Sequence, residues 1–190
     1  MLVLVVGLVL FLGVHSTRVF AEGWRSATIA RIGERPWKGL YAVVSLVGFT
    51  LLVWGYGQAR QQVPIWDPPA FMRHLTALLM LPVFVLFVAA YVPHNDIKAR
   101  LHHPQLLSVK LWAVAHLLSN GNLADVLLFG GFLAWAIAAF SAARKRDRLA
   151  GAAYPRGTPM GTIVCIVAGL VLYAAFVMGL HRWLIGVSPV

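Results

Sequence analysis

The chain contains one cysteine, Cys165, which excludes an intrachain disulfide, and it has no Cys-x-x-Cys-His, which excludes a covalently attached c-type haem. Only six of its 190 residues are acidic, and they are too scattered to offer a carboxylate pair for acid–base chemistry. His-Glu-x-x-His, Gly-x-Ser-x-Gly and phosphate-cradling glycine loops are all missing. Internal repeats and low-complexity tracts are absent as well. The enzyme constellations familiar from soluble proteins are therefore not here.

What the chain does have is apolar length. Hydrophobic residues make up 60%, charged residues 12%, and the mean hydropathy is +0.78, the balance of an integral membrane protein. Crossing a hydrocarbon core takes about 17–25 helical residues. Six segments qualify or nearly so: Leu2–Phe20, Gly39–Gly57, Leu75–Val92, Pro104–Ser119, Leu123–Ala142 and Gly161–Leu180. The fourth is short and carries Lys110, but the Trp112–Leu118 run and the need to return the chain across the bilayer favour it. Leu2–Val14 lacks the basic flank of a signal sequence and is kept as a span. The expectation is an all-α, polytopic helix bundle of about six transmembrane helices, forming a single domain over residues 1–190.

Charge orients this bundle. Arg18, Arg25, Arg31, Arg35 and Lys38 fall in the first loop, Lys98 and Arg100 in the third, and Arg144, Lys145, Arg146, Arg148 and Arg156 in the fifth. These are twelve of the sixteen basic residues, whereas Arg60, Arg73 and Arg182 lie on the other side. Short basic loops stay in the cytoplasm, so both termini are predicted to be periplasmic in a multi-pass protein of the bacterial inner membrane. The net charge of +10 is explained by this asymmetry and by anionic lipid headgroups, not by nucleic acid.

Small residues recur in the second span (Gly39, Ser45, Gly48, Gly55) and the last (Gly161, Ala168, Gly169, Ala174, Ala175, Gly179), which lets helices approach closely in lipid. Gln61–Pro69, with three prolines and Trp66, reads as an ordered outer loop with an interfacial tryptophan.

Seven histidines carry the remaining chemistry. His15, His94, His102 and His103 fall near the cytoplasmic side, and His74, His116 and His181 near the outer side. His103 and His116 are about 20 Å apart on one helix, so one metal cannot use both. His15 reads either as an imidazole ligand facing the bundle or as an interfacial histidine. Pro104 suits a first helical turn, which gives His103 a defined helix-entry position; His94 and His102 read as solvated loop residues. Lys110, seven residues on, could neutralise an acidic cofactor group, snorkel, or pair with Asp125. His116 with Asn120, Gly121, Asn122 and Asp125 reads as a hydrogen-bonded polar turn or a second site. A haem needs only one or two imidazoles and an apolar slot, whereas zinc wants three or four close ligands.

Several stretches taken together carry a family resemblance: Gly13-Val14-His15-Ser16, Gly33-Glu34-Arg35-Pro36-Trp37-Lys38-Gly39-Leu40-Tyr41, His103-Pro104-Gln105-Leu106-Leu107, Trp112-Ala113-Val114-Ala115-His116-Leu117, Asn120-Gly121-Asn122 and Leu184-Ile185-Gly186-Val187-Ser188-Pro189. Over essentially its whole length the chain resembles the NnrU family. That resemblance implies a bacterial inner-membrane protein associated with nitrite and nitric oxide reduction, related to the haem-dependent zeta-carotene isomerase. It implies haem b, with His15 and His103 as axial ligands, and Lys110 is added as a cofactor-binding candidate. The isomerase's alternative cysteine ligand has no counterpart near His103, where Lys98 and Arg100 stand. Expected partners are the lipid bilayer, an apolar isoprenoid-like substrate or nitric oxide, and a redox partner or reductase complex. Two other readings remain. One is an S-adenosylmethionine-dependent membrane methyltransferase, whose Arg-His-Pro-x-Tyr-x-Gly pattern and downstream Glu are not matched here. The other is a non-catalytic assembly factor for a reductase.

Overall fold

Backbone amides that water cannot reach must pair within their own segment, and this chain meets that requirement with helix. The computed structural model describes residues 1–189; it is 81% helix and has no strand among the described residues. In chain order the helices are α1 (Leu2–Phe20), α2 (Glu22–Ile32), α3 (Glu34–Ala59), α4 (Met72–Tyr91), α5 (Asp96–Leu101), α6 (Pro104–Ser119), α7 (Leu123–Ala150) and α8 (Pro159–Ala175). A kink within Phe176–Leu180, at Gly179 (φ 176°, ψ −26°), separates α8 from α9 (His181–Ile185). Five helical stretches are long and apolar enough to cross a membrane: α1, α3, α4, α7 and the run Pro159–Ile185, kinked at Gly179. α6 has the expected bounds, but at 16 residues it spans about 24 Å and falls short of that length.

The chain forms two compact units, residues 1–67 with 121–142, and residues 68–120 with 143–189. In the first, α1 and α3 run antiparallel with their backbones in contact. Gly55 faces the backbone of Leu4, Gly7 that of Leu52, and Gly48 that of Phe11. A side chain at these glycines would enter the partner's main chain, so they let the helices meet closely. α7 packs parallel to α1: Gly131 lies over Leu8 and Leu12, Phe132 contacts Phe11, and Trp135 contacts His15. At the far end the Tyr56 hydroxyl donates to buried Asp125 Oδ1 at 2.6 Å. The other carboxylate oxygen accepts from the Asn122 amide at 2.9 Å, the reciprocal half of a capping box opening α7. The proline-rich loop is tied down as expected, Ile65 and Trp66 donating to Gly121 O and Leu123 donating to Val63 O.

The basic loop between the first two spans holds α2, which the sequence reading does not anticipate. Its Trp24 meets buried Trp37 edge-on at 5.7 Å. The chain then turns at Gly33, whose φ of 90° is readily adopted only by glycine.

In the second unit α6 packs antiparallel to α4. Thr76 Oγ1 donates to Ala115 O at 2.7 Å near one end, and Gln105 Nε2 donates to the Tyr91 hydroxyl at 3.1 Å near the other. α8 is also antiparallel to α4, with Gly169 against Val85 and Phe84 against Tyr173 and Phe176. The segment leaving α4 and the one entering α8 are stitched together: Thr158 N donates to His94 O, Gly157 N to Asp96 Oδ1, and Asp96 N to Thr162 Oγ1. Buried Asn95 caps both neighbours, donating to Ala89 O and Val92 O and accepting from Lys98 N. The last span starts at Pro159, before the expected Gly161, because Thr158 caps it by accepting from Gly161 N and proline suits the first turn.

These contacts separate glycines that look alike in sequence. Gly48→Ala and Gly55→Ala should each destabilise the protein by about 1–3 kcal/mol through overpacking. Gly39→Ala, whose added Cβ meets nothing within 4 Å, should be neutral or stabilising by up to about 1 kcal/mol from helix propensity. Thermal unfolding in detergent reads the difference, and equal effects at Gly39 and Gly55 would contradict this packing.

Candidate functional site

α1 delivers His15 into an aromatic enclosure in the first unit. Its ring centroid lies 4.2 Å from Phe11, 5.2 Å from Tyr41 and 6.1 Å from Trp135, the last edge-on. Phe11 in turn contacts Phe49 and Phe132. His15 Nδ1 sits 2.7 Å from Phe11 O, one turn back on the same helix. A carbonyl only accepts, so Nδ1 carries the hydrogen and Nε2 keeps the lone pair. This is the tautomer a metal-binding imidazole uses when a backbone carbonyl fixes its other nitrogen.

His103 has a different setting, in the second unit. It is the N-cap of α6, with Pro104 at the first helical position. Its Nε2 lies 2.7 Å from Asp147 Oδ2, and both side chains are 21% exposed. The Tyr154 hydroxyl donates to the same Oδ2 at 2.8 Å. Burial, followed by the hydrogen bond to Asp147, pushes the Tyr154 phenol above its ordinary range, so it is a stable donor at neutral pH. With Asp147 accepting, His103 Nε2 is the donor of this contact.

His102 completes this cluster. Its φ of 66° and ψ of −51°, with His103 N donating to Leu101 O at 2.8 Å, make a γ-turn of the strained, positive-φ kind. Such a conformation costs about 1–3 kcal/mol and persists only where surroundings hold it. Here the His102 ring lies flat on Tyr154, centroids 4.0 Å apart and planes 1° from parallel, and Arg144 Nη1 approaches its Nδ1 at 3.4 Å. His102 is thus not the solvated loop residue that its sequence position suggests.

The expected site residues therefore fall in two places: His15 in the first unit, and His103 with Lys110 in the second, on α6. Lys110 is partly buried two turns beyond His103. Asp125, one expected partner for it, has its carboxylate oxygens engaged by Tyr56 and Asn122. His94 is exposed and acts through its backbone carbonyl. His116 donates Nδ1–H to Trp112 O at 2.9 Å, and Asn120 donates to His116 O, consistent with a polar cap on α6. His181 bonds Val187 O across the last turn. Among the described residues no group of three or more His, Cys, Asp or Glu side chains could hold a metal ion.

Sequence reasoning missed Asp147, Tyr154 and Trp135. Asp147 had a signal, being the lone acid inside the basic run Arg144–Arg148. That run was read as a loop, whereas α7 continues through it to Ala150. Tyr154 and Trp135 carry no sequence signal that separates them from other aromatic residues.

Comparison with curated proteins and with solved structures found no match in either case. A family model described as NnrU protein matches residues 3–189, nearly the whole chain. The chain, an all-helical membrane protein with its histidines gathered as described, belongs to the NnrU family.

Proposed function

We propose that this NnrU protein is a multi-pass protein of the bacterial inner membrane that binds haem b, with His15 and His103 as the residues that would hold it. The observation that carries this reading is the His15 hydrogen bond to Phe11 O at 2.7 Å, which leaves Nε2 as a lone-pair nitrogen inside an aromatic, apolar enclosure. A haem asks for such an imidazole and such walls. His103 fits less directly. Its Nε2 is held by Asp147, so it serves as a ligand through Nδ1 or after Asp147 lets go. Lys110 supplies a cation for an acidic group of the cofactor. When bound, the haem iron supplies electron transfer or the binding of a small gas such as nitric oxide; the chain orients the imidazoles and excludes water with Phe11, Tyr41 and Trp135. A role in nitrite and nitric oxide reduction, alone or with a reductase complex as partner, follows from this reading, as does cis/trans isomerisation of an apolar substrate.

The topology in this reading has six crossings with both termini periplasmic. Helix direction supports α6 as the sixth. α1 and α7 run parallel within the first unit, and α3, α4 and α6 lie between them in the chain. If each of the three crosses, α7 travels the same way as α1; if α6 turned back, α7 would oppose it.

Two measurements test these statements. Detergent-purified protein, oxidised and then reduced, should show a near-stoichiometric b-type spectrum. His15→Ala should lower haem content at least tenfold, His103→Ala should abolish the low-spin features, and His94→Ala should change neither. No haem after expression with haem supply, or an unchanged spectrum in His15→Ala, overturns the assignment. For topology, Gln62→Cys and Ser119→Cys in a Cys165→Ala background should react with an impermeant maleimide from outside. Ser26→Cys and Ala153→Cys should react only after permeabilisation. Labelling of position 119 from the cytoplasmic side alone would reduce the crossings to five.

A further inference from the structure

Three buried side-chain polar atoms have no hydrogen-bond partner among the described residues: Trp135 Nε1, Ser45 Oγ and Glu22 Oε2. Glu22 sits in α2 outside the long spans and uses its other oxygen to accept from Arg25. The other two lie on membrane helices, and packing brings them to one level. The antiparallel register in which Leu4 faces Gly55, Gly7 faces Leu52 and Phe11 faces Gly48 continues to set His15 beside Val44 and Ser45. The antiparallel register of α3 and α7, fixed by Tyr56 and Asp125, carries on to bring Trp135 level with residues 45 and 46. Trp135 also touches the His15 ring directly.

Neither donor is left over by chance of residue type. Hydroxyls elsewhere on these helices bond back to a carbonyl of the preceding turn: Thr17 to Val14, Thr50 to Leu46, Ser108 to Gln105 and Thr162 to Thr158. Ser45 does not. An indole N–H has no acceptor role to fall back on, and inside lipid water is not there to satisfy it. Two desolvated donors brought to one level match one acceptor oxygen that arrives with a ligand. This level of the unit borders lipid, since Val43, Leu46 and Ile137, close in sequence to Ser45 and Trp135, are exposed apolar side chains.

We propose that this level of the first unit binds a lipid-phase molecule bearing a carbonyl oxygen, which accepts from Trp135 Nε1–H and Ser45 Oγ–H next to His15. The proposal deepens the reading of the His15 pocket by naming the class of molecule brought to it, and rests on that reading for the chemistry but not for the binding. An isoprenoid hydrocarbon would leave both donors unpaired, whereas a quinone or an acyl ester would not. Phe11, Tyr41 and the His15 ring offer flat apolar walls that suit a conjugated ring.

The test uses the full chain, free of haem, in nanodiscs of ether-linked phosphatidylcholine, which carries no ester carbonyl. Tryptophan is labelled with nitrogen-15, and the Trp135 indole resonance is identified by its loss in Trp135→Phe. Titration with decylubiquinone should move the Trp135 N–H downfield saturably, and Ser45→Ala and Trp135→Phe should each weaken binding at least tenfold. A shift produced only by exchanging the ether lipid for its ester counterpart supports the carbonyl site and assigns it to bilayer lipid. A well-dispersed spectrum in which Trp135 responds to neither overturns the proposal. Repeating the titration after haem addition separates the two readings, because a missing Soret band removes the haem and leaves the indole shift standing.

Discussion

The first unit depends on the backbone contact between α1 and α3. Lipid gives apolar helices no hydrophobic reason to associate, so attraction must come from close packing and from polar contacts. Gly7, Gly48 and Gly55 provide the closeness. Because three contacts share one register, sliding by a turn would bring side chains into main chain at several points at once. That constraint fixes which residues stand beside His15: Tyr41 below it and Ser45 at its level, with α7 adding Trp135 from the third side. The chemistry of the pocket is a consequence of where three glycines allow two helices to meet.

The second unit solves a different problem, that of holding a histidine pair at a helix entrance. α5 ends at Leu101, and the chain has two residues, His102 and the N-cap His103, in which to turn before Pro104 starts α6. A γ-turn accomplishes this at a cost in backbone strain. The flat stack of His102 on Tyr154 and the bond from Tyr154 to Asp147 offset part of that cost. The same two residues hold His103, so the strained turn and the imidazole are secured by one set of contacts. Disturbing Tyr154 acts on both histidines.

Apolar runs declared themselves in the sequence because lipid tolerates little else: α1 and α6 have the residues expected of them, and α3, α4, α7 and α8 differ mainly at their ends. The ends differ for identifiable reasons. Thr158 and Pro159 start α8 early, and the basic run after Ala142 remains helical because nothing in it breaks a helix. α2 and α5 were illegible because short helices in polar loops are set by tertiary contacts such as Trp24 with Trp37, and not by periodicity. His15 and His103 stood out as rare polar residues near membrane depth. Their partners did not, since Asp147 lies 44 residues from His103 and Trp135 lies 120 from His15, and only the fold joins them.

The two histidines are not equivalent imidazoles. His15 donates to a backbone carbonyl of its own helix, a neutral acceptor that stays in place whatever else moves, so its Nε2 is a permanently oriented, ordinary donor atom. His103 instead meets a carboxylate, its Nε2 lying 2.7 Å from Asp147 Oδ2. That carboxylate is shared with Tyr154 and sits on another helix, so the orientation of His103 is conditional on α6, α7 and the 151–158 segment keeping their places.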